Sequence, residues 1–310
     1  MEKIAGWLRA AGLPEGDDHQ HTSSPLRFPD GAHYRIEISG VETVEALEAL
    51  VDEMRKTSTP VHRLVCTVSG ATYLRMSELR QFAQVAAEAK LEVMMTPGPR
   101  PQWETGKQVI TPEGAYGGMR CRGMDSMHRL LADVDRCLEA GIRGFLLWGE
   151  DALDVLATLR SKGLIPPETV FKVSINAGHA NAAGARLLER LGANTWNPVA
   201  DLGPAELAAI RKVTTIPMDV HALFFESYGG QIRFWETAEL ARVAAPCYFK
   251  IEPGVSSGTF YRPWVGPEHM CWWVRKKVHY AGIIQELVER WNPDVLCSAH
   301  GPADLSLPRP

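Results

Sequence analysis

The sequence has no apolar run approaching the roughly 18 residues that a bilayer span needs, so no membrane partner is expected. Its six cysteines, Cys66, Cys121, Cys137, Cys247, Cys271 and Cys297, include no Cys-x-x-Cys pair and no close cluster. That spacing lacks the usual zinc and redox motifs and reads as buried free thiols. A strong charge bias is also missing. The net charge is −4 with 23% charged residues, which argues against nucleic acid and against anionic lipid surfaces. The first dozen residues are too short and too charged to serve as a secretion signal, so a cytoplasmic location is expected.

What is present is a large supply of core-forming residues, 45% hydrophobic in 310 positions, enough for one big α/β domain or two smaller ones. The most legible stretch runs from Val170 to Asn197. Val173 and Ile175 alternate with Lys172, Ser174 and Asn176, the period-two pattern of a strand. A small, polar Ala-Gly-His-Ala-Asn segment follows, then an Ala/Leu/Glu/Arg run that favours helix and stops at Gly192. A second strand ends at Asn197. Strand, turn, helix and strand make a βαβ unit with parallel strands. Chemistry in such units sits where strand hands over to helix, which singles out Ser174, Asn176, His179, Asn181 and Asn197.

The same alternation runs along the chain. Residues 1–32 read as a helix and a polar loop. Its Asp17-Asp18-His19-Gln20-His21 run is either a His-x-His metal pair or a solvated loop, and no preceding apolar strand supports the metal. Strands are predicted over 33–39, 61–68, 91–95, 144–148, 170–176, 193–196, 217–222 and 246–252. Each is followed by a helix, the last over 268–291, and residues 292–310 form an irregular tail. Eight strand–helix pairs predict a (β/α)8 TIM-type barrel over 33–291, ahead of a doubly wound sheet.

One connection breaks the rhythm, residues 96–123 between strand 3 and its helix. Its length suggests a functional lid. Arg100, Lys107, Arg120 and Arg122 make it basic, and Trp103 adds an aromatic contact. Such a lid would lay guanidinium groups over an anionic substrate, unless these are merely solvated loop charges.

Four strands carry charges on one face. Arg35 and Glu37, Lys172 with Ser174 and Asn176, Asp219 with His221, and Lys250 with Glu252 all oppose apolar neighbours. The apolar faces should meet the helices, which turns the polar ones into the barrel. Ions there must be paired or must bind something. Arg35, Lys172 and Lys250 suit a structural salt network. Glu37, Asp219, His221 and Glu252, nearer the strand ends, suit a divalent cation (Mg, Mn or Zn) or acid–base work with Lys250. Trp148 and Glu150 end strand 4, with Glu150 either catalytic or the cap of the next helix. Gly254–Gly258 offers a weak phosphate cradle after strand 8. Phe260, Tyr261, Trp264, Trp272 and Trp273 would wall a pocket, pack helices, or join subunits of a homo-oligomer through the last helix.

These segments, among them R-F-P-D-G-A-H-Y-R-I-E-I, T-P-G-P-R-P-Q-W-E-T-G, F-K-V-S-I-N-A-G-H-A-N and L-G-A-N-T-W-N-P-V-A-D-L, resemble the collagenase-like peptidase family of unassigned catalytic type. The similarity covers most of residues 28–265. The resemblance implies peptide hydrolysis, here through a metal-activated water. Many relatives hold an iron–sulfur cluster on four cysteines. No four cysteines stand at comparable places in this chain, so no such cluster is expected. Three functions are therefore set out: a lyase- or isomerase-type enzyme on a small anionic molecule, a metal-dependent amide hydrolase, and a non-catalytic binding subunit.

Overall fold

The computed structural model describes residues 2–66, 71–98, 120–256 and 265–310. Its centre is a closed barrel of eight parallel strands in sequential order. These are β1 (Tyr34–Ser39), β2 (Arg63–Cys66), β3 (Glu92–Met95), β4 (Gly144–Leu147), β5 (Val170–Val173), β6 (Thr195–Trp196), β7 (Met218–Leu223) and β8 (Cys247–Ile251). Helix α1 (Glu2–Ala10) precedes them. The barrel helices are α2 (Val44–Thr57), α3 (Met76–Glu88), α4 (Gly123–Glu139), α5 (Glu150–Ser161), α6 (Ala182–Arg190), α7 (Pro204–Arg211), α8 (Thr237–Ala244) and α9 (Pro267–Trp291). The (β/α)8 expectation is met strand by strand.

The reason is the period-two pattern. Ile36, Ile38, Val173, Met218, Val220, Phe249 and Ile251 all face outward into the main hydrophobic core, where the helices cover them. Helix stripes meet them from outside, as with Leu47, Leu50, Val51 and Met54 of α2. Burying each such side chain contributes about 1.5–3 kcal/mol. Local signals set the helix starts: the Thr43 hydroxyl accepts from the Ala46 amide at the head of α2, and Pro204 opens α7.

The interior is divided. Val65, Met94 and Leu146, from β2 to β4, form a small apolar cluster. The other strands, with Arg63 of β2 and Glu92 of β3, contribute ionic and polar groups. Between His221 and Leu223 the β7–β8 register slips by one residue. That bulge lies at the C-terminal end of β7, where bulges commonly re-aim a side chain.

Both termini seal the N-terminal end of the barrel. Phe28 packs edge-on against Tyr248, with ring centroids 5.4 Å apart, and the Arg35 guanidinium lies 3.9 Å from the Phe28 ring. The tail after α9 is irregular as expected, yet firmly seated. Arg35 donates to Asp304 through both terminal nitrogens, at 2.9 and 2.6 Å, and to the Ser298 hydroxyl at 2.9 Å. The Arg309 amide donates to the Gly141 carbonyl at 2.8 Å. Gly141 is at φ 94°, and a Cβ there would run into the Arg309 carbonyl.

Arg35 is buried, so Asp304→Asn should weaken two charge-assisted hydrogen bonds. The expected cost is about 2–3 kcal/mol, read as a lower urea midpoint at unchanged slope.

Candidate active site at the C-terminal mouth of the barrel

Inside the barrel the ions are organised in two levels. The lower level is built on Arg63, whose Nε donates to Glu37 Oε2 and whose Nη2 donates to Asp219 Oδ1. Lys172 donates to the other Asp219 oxygen and lies 3.1 Å from Glu37 Oε1. Thr195 adds a hydrogen bond of 2.7 Å to Asp219, and Arg63 stacks 3.5 Å over the Tyr248 ring. All of these groups are buried. Burial pushes the Glu37 carboxyl up, but the Arg63, Lys172 and Lys250 charges outweigh it and hold it at about 2. Burial brings Lys172 down to about 8 against the pull of Asp219 and Glu37. Arg35, by contrast, faces the tail. This level is the structural salt network, and it absorbs Glu37 and Asp219.

The upper level holds His221, Lys250 and Glu252. His221 pairs with Lys250 across β7 and β8. The His221 ring lies 3.9 Å from that of Phe224. Its Nε2 is 3.4 Å from Glu252 Oε2 but without hydrogen-bond alignment, so neither ring nitrogen has a hydrogen-bond partner among the described residues. Burial drives the His221 pKa down to about 4, leaving the imidazole neutral at pH 7. Lys250 Nζ stands 3.8 Å from Glu37 Oε1 and 3.7 Å from Glu252 Oε2. Burial raises the Glu252 carboxyl, but Lys250 and His221 outweigh it and leave it below its usual value. Lys277 enters from α9, donates to the Ser39 carbonyl at 2.5 Å, and is lowered by burial to about 7. Asn197 donates to the Asp219 carbonyl at 2.5 Å while its Oδ1 has no partner.

The rim above β4 and β5 carries a second cluster. Glu150 accepts from Arg120 Nη1 and lies 2.6 Å from His179 Nε2. Burial pushes the Glu150 carboxyl up, but the Arg120 bond outweighs it and holds it at about 2. Glu150 is the first residue of α5, whose cap is Gly149, so the capping role is overturned. Asn176 Oδ1 accepts from the Tyr228 hydroxyl at 2.6 Å. Two other expected binding residues turn out to be local supports. Ser174 caps a short 3-10 turn by accepting from the Asn176 amide at 3.2 Å. Asn181 is the N-cap of α6, accepting from the Gly184 amide at 3.0 Å. Trp148 packs against the apolar interior cluster.

Arg100, Trp103, Phe260, Tyr261 and Trp264 lie outside the described residues, as do Ser257 and Gly258 of the expected cradle. The Gly254 and Val255 carbonyls accept from the Glu226 and Ser227 amides at 2.9 and 3.0 Å. In the amino-terminal loop, Asp18 pairs with Lys212 at 2.9 Å and His21 sits 3.4 Å from Glu239.

Glu37, Asp219, His221 and Glu252 do not fit a shared divalent cation. The first two already answer Arg63 and Lys172, whose positive charges would also repel a metal. Among the described residues no group of three or more His, Cys, Asp or Glu could hold one. Two participants were not among the expected site residues. Arg63 alternates with Leu64 in β2, the same signal that marked the other strands. Lys277 interrupts the apolar stripe Met270, Val274, Val278 and Ala281 of α9, a signal that goes unread when a helix is taken as packing alone.

The depressed Glu37 pKa makes a stability statement. The carboxylate stabilises the fold fully above its ordinary 4.5, and that contribution is lost as pH falls toward 2. Glu37→Gln should remove this part of the acid transition and cost about 3–5 kcal/mol, because Arg63 and Lys172 lose a shared partner. Urea unfolding at pH 7 and pH 3 checks both effects.

No family model and no curated protein matches the chain. Among solved structures, the YdjI aldolase from Escherichia coli K12 is 11% identical, covering 83% of this chain and 90% of that one with a TM-score of 0.45. A native KDPGal structure is 13% identical over 84% of this chain and 100% of that one, TM-score 0.44. The homocysteine methyltransferase MmuM from Escherichia coli, in its oxidized form, is 14% identical over 78% and 95%, TM-score 0.48. These likenesses are too distant to speak for the chemistry of this chain.

Proposed function

We propose that the chain is an enzyme of lyase or isomerase type that moves a proton on the carbon beside a carbonyl of a small, anionic molecule. One observation carries this reading. Ser39 Oγ, Thr96 Oγ1, Asn197 Oδ1, both His221 nitrogens and Glu252 Oε1 are all buried without a hydrogen-bond partner among the described residues. They lie at or just beyond the C-terminal ends of β1, β3, β6, β7 and β8, the end at which barrel enzymes work. An unpaired buried polar atom costs about 1–3 kcal/mol. A cluster of them at one mouth is explained by something polar that binds there.

The roles follow from charge. His221 is neutral at pH 7 and can take or return a proton. Glu252, an anion beside it, steadies the imidazolium formed when it does so. Lys250 Nζ, 3.7 Å from Glu252 Oε2, can meet the carbonyl group. Asn197 and Ser39 can orient polar substituents. Arg120 is engaged by Glu150, and the anion clamp expected of Arg100 falls outside the described residues. Amide hydrolysis, which the family resemblance implies, would need a metal-activated water, and the donor set does not fit a metal. No observation favours it.

The test needs no knowledge of the natural substrate. Small oxo acids and phosphorylated ketones are incubated in D2O, and NMR follows loss of the proton next to the carbonyl. At least one should exchange faster with the protein than without it. His221→Gln should slow that exchange about a hundredfold or more at nearly unchanged Tm. Exchange that survives while Tm falls would make His221 a structural residue.

A further inference from the structure

Among the described residues three lysine amines meet the ionic cluster of the barrel, and two are committed. Lys172 Nζ is fixed by Asp219 and Glu37. Lys277 Nζ donates to the Ser39 carbonyl. Lys250 Nζ, in contrast, has its ion-pair partners at 3.7 and 3.8 Å, beyond the 2.7–3.2 Å of a hydrogen bond. It is buried near the C-terminal end of β8, directly across from His221 and two residues before Glu252.

Its surroundings are crowded with like charge. Lys172 and Lys250 share Glu37 Oε1, so two cations meet across one carboxylate oxygen that Arg63 already helps to neutralise. Lys277 reaches the same end of the barrel from α9, donating to the Ser39 carbonyl at the end of β1. Clustered like charges and burial are the two means by which a lysine becomes a nucleophile. A carboxylate 3.7 Å away can carry its proton.

Resting on the reading of the mouth as a substrate site, we propose that Lys250 is a covalent catalyst that forms an imine with the carbonyl carbon of the substrate. Glu252 takes one proton from the ammonium, and the freed amine attacks the carbonyl carbon. A C–N bond forms, and the nitrogen passes a second proton to the oxygen to give a carbinolamine. Glu252 returns its proton to the hydroxyl, the C–O bond breaks and water leaves. The resulting protonated C=N draws in the electron pair of a neighbouring C–H bond, giving an enamine, while His221 takes the proton and later returns it to carbon. Lys250 is released by the reverse addition of water. Amine and carbonyl become imine and water, with no oxidant or reductant required.

Borohydride trapping tests this. Wild type, K250R and K250M are each incubated with pyruvate or dihydroxyacetone phosphate, reduced, digested and mapped by mass spectrometry. K250R keeps a cation beside Glu37 and Glu252 but cannot form the imine. The expected result is a reduced adduct on the wild-type peptide holding Lys250, lost in both variants and formed well before any on exposed Lys56. An unmodified Lys250 peptide with both probes, or an adduct that persists in K250R, overturns the imine. Thermal shifts separate this from the site reading. A probe that raises the wild-type Tm without an adduct leaves the site and removes the imine. Neither shift nor adduct removes both.

Discussion

The Arg63 guanidinium, held between Glu37 and Asp219, is the interaction on which the rest of the structure depends. It places a planar, permanently charged group in the buried interior, where an unpaired ion would cost several kcal/mol. Two carboxylates answer it, Lys172 answers them in turn, and Tyr248 covers its face. A barrel interior is more often filled by branched apolar side chains. Here Val65, Met94 and Leu146 fill part of it in that way, and charged and polar groups fill much of the rest.

This compensation divides the interior into jobs. Below Arg63, Arg35 reaches down to Asp304 and Ser298, so the tail is tied to the barrel by charge as well as by packing. Above it, the charges are less fully answered. Lys250 is held only at long range and His221 is neutral with unpaired nitrogens. A satisfied layer beneath an unsatisfied one is what a rigid floor under a ligand requires, because the groups that must change partner are separated from those that must not.

Much of this could be read in the amino acids because strand periodicity is exact. The alternation of Asp219, Val220 and His221 dictated which side chains enter the barrel, and the structure agrees. Depth was not legible. The position of a residue along its strand does not say which cation stands beside it across the sheet, so Glu37 and Asp219 passed for ligands until Arg63 was in place. Local turns were equally opaque. Ser174 and Asn181 sit where site residues are expected, but their oxygens serve amides two and three residues on. Lys277 carries no such signal, because a lysine on a surface helix ordinarily faces water and this one is buried.

The central claim is that the upper level of the mouth is a ligand site whose imidazole stays neutral. Nitrogen-resolved NMR of the histidine side chains, titrated with and without a small oxo acid, examines it directly. The account predicts that His221 remains neutral down to a pH near 4 and that its ring signals move on ligand addition. A His221 that titrates near 6.5, with signals that no small anion perturbs, would contradict it.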